Sequence, residues 1–313
     1  MASSNDQDVE LFSRTRSLHR FASGELVPDA AGPNSDEIYL LTKGGAALEA
    51  ETPLGPFAVA KLKAPALLNL ARALDTAPDL LRLAPEPGSE AVIFGSAEAR
   101  GLLFDPGPEG QAFRRLALSS VAVGLRETNA SLARFFDGYA SASAKKHESG
   151  EFPSPLAKAQ PVDPARVYDL FDAAGLNPQG LPDLGLVSRT IPGERSLLRA
   201  GAAAEEAYLL AEGRLRVSIF IPGVGEEALA VLGPGEIVGE MALIDDAPRS
   251  ADVRAHEGPA MVYALSRAVF RTLLDSGDPA GAPLLAGIAV ALTRRHEEAI
   301  RKAATFRVLA GPF

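Results

Sequence analysis

The chain has 313 residues, enough for two domains, and 47% of them are hydrophobic, enough to bury a sizeable core in each. Its net charge of −9 argues against non-specific nucleic-acid binding, which depends on clustered Lys and Arg. With no cysteine, disulfides, thiol catalysis and cysteine-based zinc sites are excluded.

The N-terminal MASSNDQDVE is polar and acidic and does not read as a signal peptide, and no apolar run is long enough to span a bilayer. A cytoplasmic protein without a membrane partner is expected. SRTRSLHR, around Arg14, reads as the exposed entry to a first folded unit. The stretch Gly138 to Pro164 is rich in Ser, Ala, Lys and Pro and has neither a helical nor a strand period. It reads as a linker (138–164) between domains at 1–137 and 165–313. In the second half, LVSRTI, RSLLRA, AYLLAE, RLRVSIFI and EEALAVL are short, partly alternating and β-favouring. IPGVGEE between two of them is a hairpin turn, since no helix follows to make its glycines a phosphate loop. After AMVYAL the pattern turns helical: RAVFRTLLDSG, then a long helix from about Ala282 to Ala304. The expected fold class is mainly β with α, a small β-barrel or jelly roll closed by helices.

The two halves resemble each other. SDEIYLLTKGGAAL (from Ser35) aligns with AEEAYLLAEGRLRV (from Ala204), placing Tyr39 on Tyr208 and Gly44 on Gly213. Leu62 to Gly88 aligns without a gap on Leu232 to Gly258, and LSSVAVGLRETNASL aligns with LAGIAVALTRRHEEA. One register, about 170 residues, holds across three separate segments, so a tandem repeat is expected.

The segment with the most chemistry is GEIVGEMALIDDAPRSADVRA, Gly235 to Ala255. Gly239 lets a ligand approach the backbone closely. EMALI can form a helical turn whose free N–H groups attract an anion. Arg249 supplies a permanently charged fork suited to phosphate oxygens, and Ser250 adds a hydroxyl donor. Glu240 can accept hydrogen bonds from sugar hydroxyls and orient the arginine. A ligand with one phosphate charge and one free sugar hydroxyl would use the whole set, as a cyclic nucleotide would. The structural alternative is a Glu–Arg salt bridge at the base of a β-roll.

This stretch resembles the phosphate-binding cassette of the cyclic nucleotide-binding domain family, which includes the catabolite activator protein and the regulatory subunits of protein kinase A. Gly235, Glu236, Gly239, Glu240, Met241, Ala242, Leu243, Pro248, Arg249, Ser250, Ala251 and Val253 fill the pattern. The resemblance covers about Gly185 to Thr305 well and the first half more weakly. It implies tandem eight-stranded β-rolls, each followed by a long helix that can close over the base. It assigns Glu240 to the ribose hydroxyl, Arg249 and Ser250 to the phosphate, and the backbone of Gly239, Glu240, Met241 and Ala242 to the sugar-phosphate. The side chains of Met241 and Leu243 are expected in the core.

The first repeat departs from the pattern: Gly239, Glu240, Arg249 and Ser250 align with Asn69, Leu70, Asp79 and Leu80. An aspartate repels a cyclic phosphate and a leucine accepts nothing from a hydroxyl, so the same fold with a dead site is expected. The nearest bases, Arg72 and Arg82, read as solvated surface residues.

His19, His147, His256 and His296 lack ligand spacing, no metal is expected, and Asp245–Asp246 reads as a turn feature. No catalytic motif appears, so an enzyme is not expected. Only FRVLAGPF follows the last helix, so direct DNA binding is not expected either. Leu118, Val121, Leu125, Thr128 and Leu132 recur at heptad spacing, as do Leu285, Ile288, Leu292, Arg295 and Ala299. The resemblance implies that such helices pair, here as an intramolecular pseudo-dimer, with Arg295, His296 and Asn129 reaching the base. The expected function is a sensor of a cyclic mononucleotide, cAMP in first place with cGMP open, acting through an unidentified protein partner. The alternative is a scaffold of the same fold with a vestigial or repurposed site.

Overall fold

The computed structural model describes residues 2–25, 37–74, 81–144, 180–221 and 225–310. They fall into two compact units. One comprises Met1–Arg134 with Gly277–Ala282 and Leu292–Phe313; the other comprises Phe135–Ser276 with Pro283–Ala291.

The first unit begins with a helix that the sequence reading missed, α1 (Ala2–Thr15). Its Phe12 is fully buried against Phe94 and Phe113, with ring centroids 5.2 and 6.4 Å away in edge-on geometry. Its Asp8 accepts two hydrogen bonds from Arg115, at 2.8 and 2.6 Å. Strands β1 (Leu18–Arg20), β2 (Glu37–Lys43), β3 (Gly45–Ala50), β4 (Phe57–Lys63), β5 (Ala66–Leu68), β6 (Leu81–Pro85) and β7 (Glu90–Gly95) form two antiparallel sheets, ordered β1-β7-β2-β5 and β4-β3-β6. The one-turn helix α2 (Leu70–Ala73) follows β5, and α3 (Ser96–Phe104) and α4 (Pro108–Ala144) follow β7. Along β2 the period of two divides the side chains. Tyr39 and Leu41 join the apolar cluster inside the roll, and Ile38 and Leu40 are buried outside that cluster.

The second unit repeats this plan with β8 (Val187–Ile191), β9 (Ser196–Leu198), β10 (Glu206–Glu212), β11 (Leu215–Ile221), β12 (Gly225–Leu232), β13 (Ile237–Val238), β14 (Asp252–Ala255) and β15 (Ala260–Ser266). Its sheets are ordered β13-β10-β15-β8 and β12-β11-β14-β9. The one-turn helix α5 (Met241–Ile244) follows β13, α6 (Arg267–Ser276) follows β15, and α7 (Ala282–Ala310) closes the described chain.

The repeat extends to register. Tyr39 opposes Leu68 and Ile93, as Tyr208 opposes Val238 and Ala264. Both tyrosine-bearing strands carry a bulge in the same place, between Leu41 and Lys43 and between Leu210 and Glu212. The protein is thus mainly β, with two β-rolls of one design, each followed by helices.

Two boundaries differ from expectation. Helix α4 runs to Ala144, through the first seven residues of the expected linker. Those residues, GYASASA, lack an apolar stripe, but they continue an established helix with alanine, the best helix former, so extension needs no stripe. The rest of the expected linker, 145–164, lies outside the described residues. Helix α7 extends to Ala310, six residues past the expected end, and contributes to both units.

Candidate functional site

The site is built where β13 ends. Gly239 has φ +80°, and a Cβ there would fall 2.4 Å from the Arg249 guanidinium, so only glycine fits. Glu240 follows as the N-cap residue of α5 and is 1% exposed. Met241 and Leu243 are buried, as expected, and Ala242 between them is buried too. Asp245 ends the turn, its carboxylate accepting from the Ala247 amide at 3.0 Å. Asp246, at φ +57°, pairs with Arg267 and Arg271, which bears out the turn reading of the acid pair.

Arg249 is 8% exposed and anchored at both ends. Its backbone N–H donates to Ala202 O at 3.0 Å, and its carbonyl accepts from Gly201 at 2.9 Å. Its guanidinium donates from Nη1 to the Gly239 carbonyl at 2.7 Å and from Nη2 to the Glu206 carbonyl. Burial pulls its pKa down, opposed by Tyr208 and Glu240, but arginine starts so high that it stays charged. Two of its five N–H donors are engaged in this way. Ser250, beside it, is exposed.

Beside Arg249 lies a cavity of about 660 Å³ within the second unit, lined among others by Arg195, Ser196, Leu198, Arg199, Glu205, Tyr208 and Arg249. One neighbouring acid is held by an arginine. Arg189 grips Glu206 with two hydrogen bonds of 2.6 Å, and Tyr208 Oη donates to the same carboxylate at 2.7 Å. The Arg189 bonds keep Glu206 below the usual carboxylate range, and burial beside that carboxylate pushes Tyr208 up to about 12. This network was missed in the sequence. Its signal was Glu-x-Tyr at the head of both aligned strands, Glu37–Tyr39 and Glu206–Tyr208, which puts acid and phenol on one strand face. Arg267, also missed, opens α6 and donates to the carbonyls of Ala204 and Ala242, the second at 3.1 Å.

Gly239, Glu240, Met241, Ala242, Arg249 and Ser250 therefore share one corner of the second unit. Arg295, His296 and Asn129 belong to the first unit. There the His296 ring packs on Gly124 and hydrogen-bonds Thr128 Oγ1 at 3.0 Å, and burial pushes its pKa down to about 4.

The first repeat meets the same local problem differently. Asn69, aligned with Gly239, also has positive φ, +64°, and its side-chain amide donates to the Glu37 carbonyl at 2.8 Å. Glu37 aligns with Glu206, whose carbonyl Arg249 holds. Asp79 and Leu80 lie outside the described residues. Arg82 pairs with Glu51 at 3.0 Å.

The second unit is thus a β-roll with a glycine-led turn and a buried arginine on the wall of a cavity. Residues 188–276 match the model of the cyclic nucleotide-binding domain family, so the second repeat is a domain of that family. The chain is 36% identical over 112 residues to the cyclic AMP receptor protein of Thermus thermophilus, covering 36% of this chain and 49% of that protein. It is 35% identical over 121 residues to the acetyltransferase Pat of Mycolicibacterium smegmatis, covering 38% and 36%. Among solved structures, the cAMP-bound regulatory domain of Toxoplasma gondii protein kinase A is 17% identical, with 87% of this chain and 85% of that one covered and a TM-score of 0.30. The chain thus spans about half the length of the first relative and about a third of the second. Among the described residues no helix is long and apolar enough to cross a membrane, and no group of three or more His, Asp or Glu is placed to hold a metal ion.

Proposed function

We propose that the second repeat binds a cyclic mononucleotide, cAMP in first place, and that the chain is a regulatory sensor acting through a protein partner. The observation that carries this is Arg249: a buried guanidinium, fixed by the Gly239 and Glu206 carbonyls, on the wall of a 660 Å³ cavity. Preorganised in this way, it can meet a phosphate with little further loss of side-chain entropy. Ser250 joins it at the phosphate, Glu240 takes the ribose hydroxyl, and the backbone of Gly239, Met241 and Ala242 lines the sugar-phosphate. The two long helices pair within one chain, a reading supported by the Thr128–His296 bond and the close approach of His296 to Gly124. Arg295, His296 and Asn129 serve the base only if that bond opens. The first repeat binds no cyclic nucleotide, since Asn69 stands where the cassette glycine does and closes on the Glu37 carbonyl.

Calorimetric titration of the full chain with cAMP, and separately with cGMP, tests this. One site per chain with micromolar or tighter affinity is expected, weakened at least tenfold in Glu240→Gln. A second comparable site refutes the dead first repeat, tighter cGMP binding reassigns the ligand, and no heat with either refutes the sensor.

A further inference from the structure

In the first roll the interior is completed by a helix from the far end of the sequence. The apolar cluster containing Phe21, Tyr39, Leu41, Leu62 and Leu68 also contains Ile300, Ala303 and Ala304 of α7, which are 1, 2 and 6% exposed. Leu132 of α4 packs on the same cluster. One turn further along, the Arg307 guanidinium sits over the Phe57 ring, 5.7 Å from its centroid. Among the described residues, the corresponding cluster of the second roll, around Tyr208, Leu210 and Val238, contains only residues of its own strands, and Tyr208 lines the cavity beside Arg249. Tyr39 and Tyr208 hold equivalent places in the repeat, by alignment and by strand register. One roll keeps a cavity at this tyrosine; the other has a helix in its apolar cluster.

The residues suit the fit. Ile300, Ala303 and Ala304 recur at i, i+3 and i+4, so they share one face of α7. Two are alanines, which let a helix approach a sheet closely, and the isoleucine supplies the apolar bulk. Two polar residues of this segment bond along the helix itself: Arg301 pairs with Glu297 at 3.7 Å, and Thr305 Oγ1 donates to the Arg301 carbonyl at 2.9 Å. The same helix is continuous from Ala282, and its Pro283–Ala291 stretch belongs to the other unit.

We propose that the first repeat is a helix receptor: its roll binds the Ile300–Arg307 segment of α7 in place of a small ligand, and through that helix it reads the state of the second repeat. The reading function rests on cyclic nucleotide binding by the second repeat; the seat does not. A helix clamped at one end resists displacement at the other. Releasing the clamp therefore removes a cost from any ligand that moves the helix, and linkage makes the effect reciprocal.

Hydrogen exchange on the full chain tests the seat. In wild type the amides of Ile300–Phe306 are expected to exchange as slowly as those of β2. In Ala303→Glu, which puts a charge into the apolar cluster, they are expected to exchange at least tenfold faster while β10 and β15 keep their protection. Ile300→Ala gives a smaller effect in the same direction and serves if Ala303→Glu does not fold. Fast exchange of this segment in wild type, or unchanged exchange in both variants, overturns the receptor. For the coupling, Ala303→Glu is expected to tighten cAMP binding several-fold, and saturating cAMP to speed wild-type exchange at Ile300–Phe306 by a similar factor. Binding with neither change overturns the coupling. If wild type binds no cyclic nucleotide, the proposed function fails with the coupling, and the exchange comparison still decides the seat.

Discussion

Removing Arg249 is expected to destabilise the second repeat even with no ligand present. The guanidinium satisfies two backbone carbonyls, those of Gly239 and Glu206, and the backbone of the same residue ties Ala202 and Gly201 to the loop. A hydrogen bond to a charged group contributes about 1.5–3 kcal/mol, so the two side-chain bonds set an upper figure of about 3–6 kcal/mol. Two effects reduce it: burying the guanidinium itself costs desolvation, and water from the adjoining cavity can reach carbonyls that the arginine leaves. A loss of about 2 kcal/mol for Arg249→Ala is the balance, equivalent to a fall of roughly 4–8 °C in Tm for a domain of this size. Arg249→Lys keeps the charge but has no fork to span both carbonyls, so about half that loss is expected. Ser250→Ala, at an exposed side chain, should stay within about 0.5 kcal/mol. Because two units need not unfold together, the assay is hydrogen exchange in urea, followed on peptides from β10 and β15. If Arg249→Ala leaves that midpoint unchanged without ligand, or if Ser250→Ala costs as much, the carbonyl-anchoring argument is wrong.

His296 is neutral in the folded state, with a pKa near 4, and takes a proton near pH 6.5 once unfolded, so its contribution is present above pH 6.5 and lost as pH falls toward 4. The first unit should lose about 2 kcal/mol between pH 7.5 and 5, measured by urea denaturation, and His296→Gln should flatten that profile. Asn69→Ala should cost the first roll about 2 kcal/mol, about half from strain at positive φ and half from the lost bond to Glu37; Asn69→Gly should recover the backbone part, and equal losses in the two variants would refute this division.

The strands and the cassette were legible because they depend on local chemistry. Alternation along β10 and β15, the turn glycines and the fixed spacing from Gly239 to Arg249 are properties of neighbouring residues. The tandem repeat was legible because the same local pattern is written twice. What could not be read depends on partners far away in sequence. Helix α1 buries Phe12 against Phe94 and Phe113, and nothing in MASSNDQDVELF announces those rings. The heptad positions of α7 showed that one face is apolar, but not that Ile300, Ala303 and Ala304 would complete a roll more than 200 residues upstream. His296 was expected to reach the base, whereas it hydrogen-bonds Thr128, a partner more than 160 residues upstream.

The two repeats meet one local demand of the fold with different donors. At the start of the tyrosine strand, a backbone carbonyl, Glu37 in one repeat and Glu206 in the other, needs a donor from the turn beside it. In the second repeat the donor is a guanidinium reaching back from the loop after α5, and the turn residue must be glycine because that guanidinium occupies the space of a Cβ. In the first repeat the turn residue supplies the donor itself, and asparagine both tolerates the left-handed backbone and carries the amide that reaches the carbonyl. Either solution holds the strand. They differ in what is left over. An amide brings no charge to the turn, whereas the guanidinium that holds two carbonyls also brings a full positive charge to a residue lining a cavity. The proposed function rests on that charge, which asparagine does not supply, and the proposed seat for α7 lies in the roll held by asparagine.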